Sequence, residues 1–494
     1  MKHIHQINYH LRQRILILTA IIFSGLSWFF SNGLRGDLWY LLWLAPIPIL
    51  IVSLRVTGKM ALLISFIAYL IGRLSWFTYL VSVATLVPAI IFTLSFAFFF
   101  SIIITITRQS VLKSNSWYSV MAFPVFFTVF EFLLMKFSPD GSAGSIAYSQ
   151  SNVLPLIQIA SLTGISGITF LITYIPSSIA IGYHFRKEKI KLKPLSAFSL
   201  ILLLSAFIFG MIRISGKSDK NTIKAGLIVL EEKFHDMSAQ PDLKKGLQTT
   251  NYYMKEIAKL ATQGAKVVVL PERAININNA ADSAVMSTLK HTAVQNQVMI
   301  VSGFTDLRND PERNSALVFT DEGILVSDYR KAHLVTGLER QFKAGNEIGL
   351  FKLKGRQSGI AICKDLDFQD YIIKYGKNQT DILFIPAWDF VVDDWLHSRM
   401  AVLRGVENGF SEVRVARQGR LTISDCFGRV RYETTCAQGQ SASLIGELPL
   451  QKRNTFYSKS GEWFGILNLI GAIFFIFKAT LNPGNASSDK PVTR

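Results

Sequence analysis

The sequence predicts an α-helical membrane bundle of about eight transmembrane helices joined to a separate α/β domain. Three observations predict it. Seven apolar stretches, roughly 14–31, 38–54, 60–80, 83–107, 118–136, 156–182 and 195–214, precede residue 215, and an eighth covers 463–477. Most approach the ~20 residues that a ~30 Å hydrocarbon core requires. Residues 217–461 instead alternate β-branched apolar runs with helical patterns, over a length suited to one large α/β domain. Composition agrees. Of 494 residues, 50% are hydrophobic and only 17% are charged, with a mean hydropathy of +0.31, whereas soluble globular chains carry about a quarter charged residues. These values exclude a disordered, collagen-like or disulfide-rich chain and argue against a wholly cytosolic enzyme. Three cysteines cannot build a disulfide framework or a four-thiolate zinc site. The expected division is a transmembrane bundle over 1–214, an α/β domain over 217–461, a closing transmembrane helix over 462–480 and a polar, disordered tail over 481–494.

A net charge of +18 would suggest nucleic acid in a soluble protein. Here much of the charge sits in short loops between apolar runs. Lys2, Arg12 and Arg14 precede or open the first run. Arg55 and Lys59, then Arg108 and Lys113, then Arg186, Lys187, Lys189, Lys191 and Lys193 occupy alternate loops, and the loops between them are poorer in Lys and Arg. The excess of Lys and Arg on cytoplasmic loops therefore places the N-terminus inside. Seven crossings then deliver 217–461 to the outer side, and the eighth returns the tail to the cytoplasm. No small-residue cleavage site follows the first run, so it reads as an anchor and not as a cleavable signal. The partner implied is a membrane, not nucleic acid.

Arg73 and Glu131 interrupt the apolar runs, each five to seven residues before the outer end of an outward-running helix. Intramembrane charges are costly and usually pair or face a polar cavity. Their matched depth predicts neighbours near the outer end of the bundle. They form either a structural ion pair, with snorkelling by Arg73 as a variant, or the wall of a lipid-headgroup cavity.

In the α/β half, strands are expected over 223–229 and 266–270, with a helix over 243–263 between them. Further strands are expected over 298–304, over 316–319 and 324–329 around the turn Asp321-Glu322-Gly323, and over 358–363 and 382–386. A helix start over 400–408 and strands over 413–416 and 421–424 complete the pattern. Three of these strand ends carry reactive side chains. Glu272 stands just past a buried strand, Lys331 ends a hairpin strand and Cys363 ends another. Singly, such residues are usually a solvated carboxylate, a solvated ammonium and a core thiol. Together they suit thiol-based acyl chemistry: a thiolate nucleophile, a carboxylate to take its proton and an ammonium to stabilise the oxyanion.

The surrounding motifs are specific. They are Leu-Pro-Glu272-Arg, Asn314-Ser-Ala-Leu-Val-Phe, Tyr329-Arg-Lys331-Ala-His-Leu-Val with Glu339 eight residues on, and Ile362-Cys363-Lys-Asp365. In the membrane half stand Phe130-Glu131-Phe132, Tyr148-Ser-Gln150 and Gly164-Ile-Ser-Gly167-Ile-Thr-Phe170. With this architecture the chain resembles the nitrilase superfamily, and more closely the apolipoprotein N-acyltransferases, membrane enzymes of bacterial lipoprotein maturation, along nearly its whole length. The resemblance implies an αββα sandwich for the α/β domain. It also implies Cys363 as nucleophile, Glu272 as base, Lys331 as oxyanion donor, and Glu339 and Asp365 as supporting residues. Arg73, Glu131, Trp388, Phe390 and Trp395 are candidate substrate contacts.

The activity implied is transfer of a fatty acyl chain from a phospholipid, through a thioester on Cys363, to the α-amino group of an apolipoprotein's diacylglyceryl-cysteine. It needs no metal or organic cofactor. A monomer in the bacterial inner membrane is implied, with a periplasmic catalytic domain and cytoplasmic termini. The chain departs from the family pattern at Ser138-Pro139-Asp140-Gly141, Ala387-Trp388-Asp389-Phe390, Ala416-Arg417-Gln418-Gly419, Asp365 and Arg404-Gly-Val-Glu407-Asn408, and in a short segment between Lys331 and Cys363. These departures leave two alternatives: a membrane-tethered nitrilase-type amidase or hydrolase, and an acyltransferase for a different amine.

Three other features read as local. His333 is expected to hydrogen-bond nearby, because Glu272 already fills the role of base. Cys426 and Cys436 lack metal spacing and read as free core thiols. The cluster Trp388, Phe390, Val391, Val392, Trp395 and Leu396 reads equally as core packing and as an acyl-chain groove or membrane-dipping loop.

Overall fold

The computed structural model describes residues 2–31, 34–216, 221–235, 243–278, 282–450 and 452–481. The expected polar tail beyond Leu481 lies outside the described residues. Seven described helices are long and apolar enough to cross a membrane: Leu11–Ser31, Gly58–Ala84, Leu86–Ser114, Trp117–Phe137, Ile165–His184, Lys189–Ile214 and Trp463–Leu481. The run expected over 38–54 is shorter, a 3₁₀ turn Trp39–Trp43 followed by the helix Pro46–Ser53. Proline at the first helical position needs no N–H partner there, and this is where the α-helix starts. Short as it is, the segment reaches from one end of the bundle to the other. At its start Trp43 Nε1 donates to Gln150 Oε1 at 2.9 Å. At its end Arg108 Nε donates to Ser53 O at 2.9 Å. The run expected over 156–182 divides at Gly164 into Leu154–Thr163 and Ile165–His184. Gly164 has φ +67°, and a Cβ there would lie 2.6 Å from the Tyr457 ring, so glycine alone fits this bend.

The basic loops gather at one end. Arg108 holds the 53–56 turn, Arg55 lies over the Tyr183 ring at 5.0 Å, and Lys191 donates to Asn115 at 2.7 Å. The α/β domain sits on the opposite end. Lys136 pairs there with Asp370, and Gln158 donates to Phe427 O at 2.8 Å.

The α/β domain has thirteen described strands. They are β1 (Thr222–Val229), β2 (Val267–Val269), β3 (Ile275–Ile277), β4 (Met299–Asp306), β5 (Arg313–Phe319), β6 (Leu325–Arg330) and β7 (Gly349–Leu353), then β8 (Arg356–Ile360), β9 (Ile382–Trp388), β10 (Ser411–Arg417), β11 (Arg420–Ser424), β12 (Val430–Thr435) and β13 (Ala442–Pro449). One sheet runs β13-β1-β2-β4-β5-β6 with β3 on β4, and the other runs β12-β11-β10-β9-β8-β7. Side chains alternate along each strand. In β1, Ala225, Leu227 and Val229 therefore enter the core between the sheets, with Ile360, Phe384 and Val413 opposite, while Ile228 faces outward. Outside the first sheet, Tyr253 and Ile257 of helix Leu243–Thr262 and Leu289 of helix Asp282–Asn296 cover that face. Helices Gln369–Lys377 and Asp394–Asn408 lie on the second sheet. This is the expected αββα sandwich.

Candidate active site

Strand β2 is central, fully buried and parallel to both neighbours, so its C-terminal end is fixed. Immediately after it, Leu270-Pro271-Glu272 turns across β4. A Cβ on Gly303 of β4 would lie 2.3 Å from Pro271 O and 2.8 Å from Glu272 Cα, so glycine is what lets this turn sit so low. The β5–β6 hairpin supplies two more groups, and the Lys331 N–H donates to Asn314 O at 2.9 Å. Lys331 Nζ then bridges two carboxylates, at 2.7 Å from Glu272 Oε1 and 2.9 Å from Glu339 Oε2. Asn314 Nδ2 closes the ring from the other side, donating to Glu272 at 2.6 Å and to Glu339 at 2.7 Å. The Val335 N–H donates to Glu339 at 2.7 Å. In the sequence Asn314 stands out only as part of a motif; its position opposite Lys331 in the hairpin register is the signal for its role.

Cys363 does not end a strand as expected. Strand β8 stops at Ile360, and Cys363 opens a 3₁₀ turn, Cys363–Asp367. The cause is Asp365. Its carboxylate accepts from the Ile362 N–H at 2.9 Å, the His333 N–H at 2.8 Å, the Ala332 N–H at 3.1 Å and the Tyr329 hydroxyl at 2.6 Å. One buried carboxylate thus ties the exit of the lysine strand to the turn that Cys363 opens. Cys363 itself has φ +43°, a left-handed conformation that costs a side-chain-bearing residue energy and often marks functional positions. Its Sγ lies 3.5 Å from Trp388 O and keeps partial exposure.

Burial raises the Glu272 carboxyl above the ordinary carboxylate range, against the opposing pull of Lys331 and Asn314. Burial also works against the Lys331 charge, but Glu272, the thiolate form of Cys363 and Glu339 outweigh it and hold the ammonium above its ordinary value. Burial opposes ionisation of Glu339 as well, yet Lys331 and its hydrogen bonds leave it below the usual range. Burial and then Glu272 push the Cys363 thiol up, with Lys331 pulling it down. The thiol thus lies within electrostatic reach of a carboxyl whose affinity for a proton has been raised.

A cavity opens from this point toward the bundle. Cys363, Trp388 and Phe390 line one side and Arg73, Trp76, Phe96 and Leu134 the other, with Ser138, Asp140 and Gly141 of the departing loop between them. Two candidate contacts lie elsewhere. Trp395 fills the space under Gly36, where a Cβ would come within 2.1 Å of its ring. Glu131 points away into its own hydrogen bonds, from Ser145 Oγ at 2.7 Å, the Ile146 N–H at 2.8 Å and Thr169 Oγ1 at 2.6 Å. No ion pair joins it to Arg73: hydroxyls and a backbone N–H satisfy the carboxylate before the guanidinium is needed.

His333 is held locally, with Nδ1 at 3.1 Å from Asp365 and its ring stacked on Phe368 at 3.8 Å. Cys426 and Cys436 are free, buried thiols. Behind Cys363, Arg414 pairs with Asp389 at 2.9 and 2.5 Å. Sequence reasoning passed over this pair, which joins residues 25 apart.

A family model described as carbon-nitrogen hydrolase matches residues 235–452, the part that carries all of these groups. A second, described as the apolipoprotein N-acyltransferase N-terminal domain, matches residues 21–177 of the bundle. The chain belongs to the apolipoprotein N-acyltransferase family, within the nitrilase superfamily. Among members of that family, the apolipoprotein N-acyltransferase of Geobacter metallireducens is 25% identical over 476 residues, covering 87% of this chain and 89% of its own. That of Rickettsia prowazekii is 24% identical over 436 residues, covering 80% and 83%. The 2-oxoglutaramate amidase of Bacillus subtilis is 29% identical over 199 residues, covering 39% of this chain and 68% of its own. An amidase structure from Nesterenkonia sp. aligns with a TM-score of 0.42 at 16% identity, covering 52% of this chain and 99% of that one.

Proposed function

We propose that this membrane protein is an N-acyltransferase that moves a fatty acyl chain from a phospholipid, through a thioester on Cys363, to the α-amino group of an apolipoprotein's diacylglyceryl-cysteine. The observation that carries this reading is the cavity shared by Cys363 and the bundle: a thiol within electrostatic reach of the Glu272–Lys331 pair faces a wall built by membrane helices. Glu272 takes the Sγ proton as sulfur attacks the ester carbonyl, and Lys331 faces the oxyanion. The ester C–O bond breaks, the proton passes from Glu272 to the departing lysophospholipid hydroxyl, and the acyl group stays on sulfur. The acceptor amine then attacks the thioester. Glu272 takes its proton, the amide bond forms, and the thiolate leaves and is reprotonated. Glu339 and Asn314 hold Lys331 and Glu272 in register throughout.

The hydrolase reading drew on Glu407-Asn408. Glu407 accepts from the Ile165 N–H at 2.8 Å and from Gln369 at 2.9 Å, and pairs with Arg404. It belongs to the joint with the bundle, outside the cavity lining, and gives water no special place. The test is intact-mass analysis of the full chain with a phospholipid carrying a labelled acyl group, followed by a diacylglyceryl-peptide acceptor. The expected result is one acyl mass on Cys363 that moves to the peptide. Label found only as free fatty acid supports the hydrolase. Transfer to other amines but not to the peptide supports the alternative acceptor.

We also propose an inner-membrane orientation with both termini cytoplasmic and the α/β domain outside. Clustering of Arg55, Arg108 and Lys191 at the end remote from that domain supports it. A topology reporter after Lys217 is expected to read outside, and one after Arg494 inside. A cytoplasmic reading at Lys217 overturns the orientation.

A further inference from the structure

The cavity's charged side chains are paired with one exception. Lys364 Nζ lies 2.6 Å from Asp140 and 3.9 Å from Asp367. Arg414 is held by both oxygens of Asp389, and His397 faces Asp393 at 3.2 Å. Arg73, in the last turn of helix Gly58–Arg73, is only 6% exposed and has no carboxylate within 4 Å among the described residues. Its guanidinium meets ring faces, Phe96 at 4.4 Å and Trp76 at 4.9 Å, and its Nε has no hydrogen-bond partner. Ring faces accept no conventional hydrogen bond, so Nε stays an unused donor of a planar fork matched to phosphate, and Tyr69 and Glu131 act on the charge only through space. A buried cation left in this condition is costly. Beside it Leu80, Val83, Phe92 and Leu134 make an apolar wall of the same cavity. The ligand that fits both features joins a compact anion to apolar chains.

We propose that Arg73 binds the phosphodiester of the donor glycerophospholipid, fixing the headgroup so that an acyl ester is presented to Cys363. The presentation step rests on the acyltransferase reading above; the anion site does not. Arg73 is a binding residue and takes no part in the bond changes.

The test uses the full-length chain with Cys363→Ala in detergent micelles and two fluorescent ether lipids that cannot acylate anything. One is a diether phosphatidylglycerol, and the other is the same diether glycerol without phosphate. The phosphate-bearing probe is expected to bind at least about tenfold more tightly, as suits a hydrogen bond to a charged group. Arg73→Met, which keeps the stem between the rings, is expected to collapse that ratio, and Arg73→Lys to restore most of it. Millimolar inorganic phosphate is expected not to displace the lipid. Equal binding of the two probes to the Arg73 protein overturns the proposal even if Arg73→Met does not fold. So does a ratio untouched by Arg73→Met, or ready displacement by inorganic phosphate, which would mark a free-anion site. Because neither probe carries an ester, failure of the wild-type chain to acylate Cys363 refutes the acyltransferase reading without altering these outcomes.

Discussion

Glu272→Gln is expected to slow formation of the acyl-enzyme by about 10²–10⁴-fold, the usual contribution of a positioned general base. The amide keeps the size of the side chain and can still accept from Lys331 and Asn314, so the ring around it survives while its capacity to take a proton is lost. The pH profile carries a second readout. The base works only when deprotonated, so the rate is full above its pKa and is lost as pH falls through it. Because burial raises the Glu272 carboxyl, that loss begins at higher pH than for an ordinary carboxylate. Lys331→Met removes the positive charge that opposes the rise, and is expected to move the acid limb further up besides lowering the rate. Single-turnover transfer of a labelled acyl group to Cys363, followed across pH, measures both. A Gln variant within a few-fold of wild type would remove Glu272 from the role of base.

Arg404→Met is expected to produce the largest loss of stability. Arg404 is fully buried and donates to Leu366 O at 2.8 Å, to Ser142 Oγ at 2.8 Å, to the Tyr148 hydroxyl and to Glu407. Removing one partner of a buried pair leaves an uncompensated charge and costs about 3–5 kcal/mol. The orphan here is Glu407, which also accepts from the Ile165 N–H of the bundle. The damage should therefore appear as separation of the α/β domain from the helices. Thermal unfolding should split into two transitions, with proteolysis between 137 and 165 appearing before either. A single transition within a few degrees of wild type would show that the joint does not depend on Arg404.

Much of this was legible in the sequence, for physical reasons that differ by element. Strands β2 and β9 are buried on both faces and read as continuous apolar runs, and β1 and β4 each carry a shorter apolar stretch. Strand β12, Val-Arg-Tyr-Glu-Thr-Thr, carries charges in the open and has no such run, and β3 is only three residues long. Glu272, Lys331 and Cys363 each follow a recognisable strand, and their neighbourhood was readable from motif order. The Arg414–Asp389 pair joins residues 25 apart on adjacent strands, and no local pattern announces it. Arg73 and Glu131 show the limit most clearly. Counting residues along two helices fixes depth, but it does not fix the direction in which each side chain points around its helix axis.

The short segment from Trp39 to Ser53 has a consequence for where chemistry happens. Five residues at ~2.0 Å and ten at ~1.5 Å reach roughly 25 Å, short of a ~30 Å hydrocarbon layer. Its upper end holds Gln150, two residues from Tyr148, which Arg404 ties to the turn bearing Cys363. A tie to so short a segment draws the turn bearing Cys363 toward the bundle. The ester linkages of a bilayer lie at the edge of the oily layer. A sulfur drawn toward that level would meet an ester without the lipid being pulled into water, which would spare the proposed reaction the energy of extracting two acyl chains.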